Sequence, residues 1–159
     1  MIKKIGLLIL LALIMGSVGC NQVMINGEGS NSSFTNSDIN KNITNETLSL
    51  NCNGDNLIVV GSNNTITISN CYNVTIEGAN NELLSNSSIE NFNLKGSNAE
   101  VVVKGNLKAL IINGDNNDIK VEDIVSINID GSNNDIQYRK LENSNISNNG
   151  DNNEFKILK

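Results

Sequence analysis

Glu82, Glu100, Asp118, Asp135 and Glu154 recur at intervals of 17–19 residues, each four places after a glycine. They are the residues of this chain whose type and spacing could do chemistry. If each interval is one turn of a coil, the five carboxylates share an exposed column with a spacing of about 4.8 Å. Neighbouring charges then repel by about 0.9 kcal/mol per pair in water, and something has to offset that. Lys120 and Lys156 stand two places after Asp118 and Glu154, on the same face, and neutralise those two in part. Glu82, Glu100 and Asp135 have no such neighbour in sequence. A divalent cation that prefers hard oxygen ligands would complete the set, which makes the column a candidate Ca²⁺ site. The competing assignment is a solvated strand face that keeps the protein soluble.

Other reactive groups are scarce. The 159 residues include no His, which removes imidazole ligands, His general bases and Ser-His-Asp or Cys-His nucleophiles. Polysaccharide-cleaving β-helices cluster Asp with Arg or Lys under long loops, but the one arginine is Arg139, beside Lys140. With Phe92, Tyr138 and Phe155 assigned to the interior, no aromatic platform remains for stacking sugar, and no connection is long enough to build a cleft. No catalytic residue is assigned and no enzyme activity is expected, a degenerate carbohydrate-active enzyme being the remaining alternative. The formal charge is −6, and about −8 once Lys3 and Lys4 leave with a leader. Such a surface repels nucleic acid, which is not expected as a partner.

The column needs a repeating support, and the glycines define it. Gly61, Gly78, Gly96, Gly114, Gly131 and Gly150 are 17, 18, 18, 17 and 19 residues apart. A period near 18 is too short for a helical hairpin and suits one turn of a β-solenoid. Four and two places before each glycine stand pairs such as Leu57/Val59, Val74/Ile76 and Phe92/Leu94; five and seven places after it stand pairs such as Ile66/Ile68, Val101/Val103 and Ile119/Val121. Of the 24 places so defined, 22 are apolar, the exceptions being Ser85 and Asn148. Period-two alternation of this kind predicts two strands per turn, each with one face buried. Cys71, Ile89, Leu107, Ile124 and Leu141 form a further apolar column between the strands, predicting a third, inward-turning corner. Pro is absent and aromatics make up only 3%, as narrow stacked aliphatic columns require. The expected fold is all-β, a single-stranded parallel β-solenoid of about six coils of 17–19 residues.

Asparagine occupies the second place after every glycine, at Asn63, Asn80, Asn98, Asn116, Asn133 and Asn152, and the third place at all but Ala99. Of the 33 Asn in the chain, these are the ones that random composition does not place. Asn tolerates left-handed backbone at a bend, and stacked amides can hydrogen-bond from turn to turn. The Asn63 column is therefore expected to be a structural ladder, inward or at the corner. Cys52 and Cys71 fall one turn apart, within the Cα range that a disulfide accepts. They are expected to be bonded, the alternative being two buried free thiols. Gly61-Ser62-Asn63-Asn64-Thr65-Ile66, flanked by Cys52 and Cys71, resembles the repeat of an exported prokaryotic family known as domain of unknown function 3060, over about residues 48–140. The resemblance implies an exported or lipid-anchored β-solenoid and implies no activity and no catalytic residue.

The N-terminus supplies an address. Lys3 and Lys4 precede an apolar run of 11 residues, 5–15, too short to span a bilayer comfortably, followed by Ser17-Val18-Gly19-Cys20. This predicts a signal peptide over residues 1–19. The tetrapeptide resembles a lipoprotein processing site, with Ser17 where Leu is usual, and makes Cys20 the residue to be lipidated. Residues 20–42, rich in Asn, Ser, Gly and Thr, read as a lipid-anchored flexible tether, and residues 43–159 as the solenoid domain. The expected protein is an exported lipoprotein held at a membrane through its N-terminal lipid, at the cell surface or in the periplasm. It would act as a structural or binding module of the cell envelope, with an envelope protein or polysaccharide as partner. The alternative is a Ca²⁺-dependent or polysaccharide-binding module built on the acidic column; apart from Ca²⁺ no cofactor is expected.

Overall fold

The computed structural model describes residues 22–25 and 37–158. Its strands stack in two ladders. One contains β1 (Gln22–Ile25), β3 (Thr47–Asn51), β5 (Thr65–Ser69), β7 (Glu82–Ser85), β9 (Glu100–Val103) and the first half of β11 (Asp118–Asp130). The other contains β2 (Asp38–Asn42), β4 (Asn56–Val60), β6 (Asn73–Glu77), β8 (Ile89–Lys95), β10 (Leu107–Asn113) and the second half of β11. β12 (Asp135–Asn149) lies along both halves of β11, and β13 (Glu154–Ile157) pairs with the start of β12. Every pairing is parallel, and the chain is a β-solenoid of about seven turns.

The stacking follows the aliphatic pattern. Ile66 pairs with Leu83, Leu83 with Val101, Val101 with Ile119 and Ile119 with Ile136, and all five are 0–1% exposed. On the second ladder Leu57, Val74, Phe92, Leu110 and Ile127 stack in the same manner. Side chains that alternate across each short strand give one buried column per inward position, so a thin core needs no large aromatic anchors. The third corner is closed by Cys71, Ile89, Leu107 and Ile124, all buried.

Two details of the expected layout change. The turns number about seven rather than six, and the stretch read as a tether contributes β2, paired with β4 from Asp38 to Asn42, and β1, paired with β3. Among the described residues the first turn carries Ile39 and Ile43 as partly buried apolar residues and has Ile43-Thr44-Asn45-Glu46 in place of the glycine motif, so its periodicity is weaker than that of the later turns. The Asn63 column takes the corner, the second of the two places expected for it. Asn63, Asn80, Asn98, Asn116, Asn133 and Asn152 are exposed at the corner with φ of 55–59°. Asn63 there donates from Nδ2 to Asn45 Oδ1 at 3.0 Å, and Asn80 to Asn63 at 3.0 Å. The buried amide ladder is the next column: Asn64, Asn81, Asn117 and Asn134 are 1–2% exposed. Sequence singles out the second position because left-handed backbone allows few residue types there; burial is decided one residue later.

Cys52 and Cys71 are bonded, with their Cα atoms 4.7 Å apart, and the bond ties the second turn to the third. The loop it closes has a sequence separation of 19, for which chain entropy assigns about 3 kcal/mol. The double variant Cys52→Ala/Cys71→Ala is expected to lose about that much, read as a lower urea midpoint. An unchanged midpoint would show that the bond decorates turns already held by their ladders.

Candidate functional site

The acidic residues spaced along the sequence come together in space. Thr65 pairs with Glu82, Glu82 with Glu100, Glu100 with Asp118, Asp118 with Asp135 and Asp135 with Glu154, one carboxylate per turn. Glu82, Glu100 and Glu154 are exposed, whereas Asp118 and Asp135 are half-buried. Lys120 Nζ donates to Asp118 Oδ2 at 3.2 Å. Lys156 pairs with Glu154 and also reaches Asp135 Oδ2 at 2.9 Å, so Asp135, partnerless in sequence, gains its cation from the following turn. Hydrogen bonds from Lys156 first to Glu154 and then to Asp135 hold its ammonium above the usual lysine range. Gln137 Nε2 adds a bond to Asp135 Oδ2 at 3.2 Å.

Lysine therefore stands beside Asp118, Asp135 and Glu154, whereas Glu82 and Glu100 have no ion pair among the described residues. Among the described residues, no three of Asp, Glu and Cys form a group able to hold a metal ion. Carboxylates a full strand spacing apart on a flat face are also poor at converging on one ion, which takes six to eight oxygens at about 2.3–2.6 Å. Titration of the oxidised protein with millimolar Ca²⁺ is expected to give no saturable heat. Heat that saturates would establish the column as a cation site.

A second arrangement was not legible in the sequence. At the third corner a groove of about 430 Å³ opens over the buried Cys71, Ile89, Leu107 and Ile124. Its rim carries Tyr72, Glu90, Lys108, Asp123 and Glu142. Contrary to the expectation of no cleft and no aromatic platform, Tyr72 is 43% exposed there. Lys108 pairs with Glu90, whose hydrogen bond, followed by its charge, raises the lysine pKa. Arg139 bridges Glu122 at 2.8 Å and Asp123 at 3.3 Å, and Lys140 pairs with Glu142 at 3.2 Å.

One residue of the groove wall, Glu142, is placed by a register slip. Ile124 pairs with Leu141, but Ser126 pairs with Asn145, so β12 carries two extra residues against β11. A bulge of this kind bends a strand and re-aims its side chains. Asn143 takes a φ of 63° within it, and Glu142 is brought to the rim. The sequence held one trace of the bulge, the 19-residue interval between Gly131 and Gly150.

Cys20, proposed as the lipid site, and the leader lie outside the described residues. The rest of the chain can be set beside known proteins. Residues 94–152 match the model of the family described as Protein of unknown function (DUF3060). The resemblance read from the repeat is thus met over the C-terminal turns, beginning later and ending later than the span 48–140. The matched stretch contains Gly96, Gly114, Gly131 and Gly150 with their corner asparagines, and also the β12 bulge. No curated protein and no solved structure matches the chain.

Proposed function

We propose that the protein is an exported, lipid-anchored β-solenoid that serves as a structural module of the cell envelope. The observation that carries this reading is the Cys52–Cys71 bond. Disulfides of this kind persist in oxidising compartments and are rare in the cytosol. The leader and Cys20 give the route there, and a diacylglyceryl thioether together with an N-acyl chain would hold the protein firmly where one chain would not. The solenoid suits a mechanical part, because every internal strand is paired on both sides and each turn is braced by its neighbours.

The test is expression of the full chain in a bacterial host, followed by fractionation and intact-mass measurement. The expected product begins at Cys20, carries acyl mass, contains the Cys52–Cys71 bond and sediments with membranes. Cys20→Ser should leave the membrane fraction. A product that keeps its leader and is recovered from the cytoplasm with both thiols free would overturn the reading.

A further inference from the structure

We propose that the groove at the third corner is a binding site for a neutral oligosaccharide, with Tyr72 as its stacking platform. The volume of about 430 Å³ lies within the range of about 300–1,000 Å³ typical of ligand pockets. Its build is that of a pocket: an apolar floor of Ile89, Leu107 and Ile124 under a few polar groups at the rim.

The chemistry of the rim selects the class of ligand. An extended peptide recognised by strand addition needs an unpaired main-chain edge. Here β8, β10 and β11 are each paired on both sides, so no strand edge lies open along the groove. A charged ligand would have to break an existing pair, because Glu90 is held by Lys108, Asp123 by Arg139 and Glu142 by Lys140. An anion would in addition meet three carboxylates at the rim. A polyol keeps those pairs intact and uses their spare lone pairs and N–H groups as acceptors and donors. Tyr72 supplies the other half of sugar recognition, a rigid amphipathic ring that costs little entropy to order and offers its face to ring C–H groups. Ser88 is already fixed, since its Oγ accepts from the Asn106 amide at 3.0 Å, so the polar edge between these turns is preorganised.

The probes are cellotetraose and tetra-N-acetylchitotetraose, added to the full, oxidised chain and followed by amide chemical shifts. At least one is expected to give saturable shifts confined to the amides around Tyr72, Ser88, Asn106 and Val125. Tyr72→Phe should bind as the parent does, and Tyr72→Ala should bind at least about tenfold more weakly, the loss of one anchoring contact. Glu82→Gln on the acidic column serves as the control and should change nothing. Because the ligand is uncharged, affinity should hold from low to high salt. No shift at millimolar concentration of either tetrasaccharide, or binding indifferent to Tyr72→Ala, would overturn the proposal. Affinity that collapses with salt would overturn it too, by pointing to a charged ligand. Secretion and lipidation play no part in this experiment, so it fails or succeeds independently of the envelope reading.

Discussion

Gly78→Ala is expected to destabilise the solenoid by about 4 kcal/mol, a large effect for the addition of a single methyl group. An ideal Cβ at Gly78 would lie 2.1 Å from the carbonyl oxygen of Gly61 and 2.8 Å from its carbonyl carbon. Both obstacles are backbone, so no side-chain rotation relieves them. The φ of 118° at Gly78 is in addition a conformation that L-residues avoid. Making room means parting two turns, which endangers the bonds from Gly61 N to Glu77 O at 2.9 Å and from Gly78 N to Lys95 O at 3.0 Å. Strained backbone costs about 1–3 kcal/mol and each lost hydrogen bond about 0.5–1.5 kcal/mol more. Turns of a solenoid touch only their neighbours, so the damage should be local at first. Hydrogen exchange should therefore rise around β4 to β8 while β10 and β11 stay protected, and the urea midpoint should fall. A variant within about 1 kcal/mol of the parent would show that the turns can part cheaply.

This contact also shows how much of the fold could be read in advance. The two strands per turn, their parallel stacking and the Cys52–Cys71 bond were legible because a period of two nests inside a period near 18. The glycine itself was legible but its cause was only half so. A positive φ at the bend accounts for Gly61 and Gly78, yet Gly96 and Gly150 do without one. What all six share is a carbonyl oxygen of the preceding turn within 1.6–2.1 Å of the place a Cβ would take. That contact is set by how closely turns pack, which no single repeat records. The acidic column was correctly placed on one face, but the reach of Lys156 back to Asp135 depends on a side chain crossing between turns. Tyr72 and the groove were hidden for a third reason. Tyr72 falls outside the apolar columns that alignment on the glycines defines, and Glu142 reaches the rim through a slip of register in β12 that such an alignment smooths away.

The second large effect lies in the buried asparagine column. Asn117→Leu keeps the branched skeleton and the number of heavy side-chain atoms, and is expected to cost about 4 kcal/mol. Asn117 Nδ2 donates to Gly96 O at 3.1 Å and to Asn134 Oδ1 at 2.9 Å, and its Oδ1 accepts from Ala99 N at 2.9 Å. Asn134 Oδ1 keeps the bond from Asn117 N at 3.0 Å, so leucine orphans two groups, the Ala99 amide and the Gly96 carbonyl. A buried polar group left without a partner costs about 1–3 kcal/mol. The chain contains its own counter-experiment, because Ala99 interrupts the column between Asn81 and Asn117 and is itself buried. In the other turns the third-position amide takes the backbone N–H of the turn before and donates to the glycine carbonyl of that same turn, as Asn81 does for Asn64 N and Gly61 O. Ala99→Asn would extend that pattern, offering Asn81 an acceptor and the Gly78 carbonyl a donor, and should raise stability by about 1 kcal/mol. Urea midpoints of the two variants separate the causes. If hydrogen bonding governs the column, Asn117→Leu falls and Ala99→Asn rises. If packing governs it, the near-isosteric leucine is tolerated and the larger side chain at position 99 is the one that destabilises.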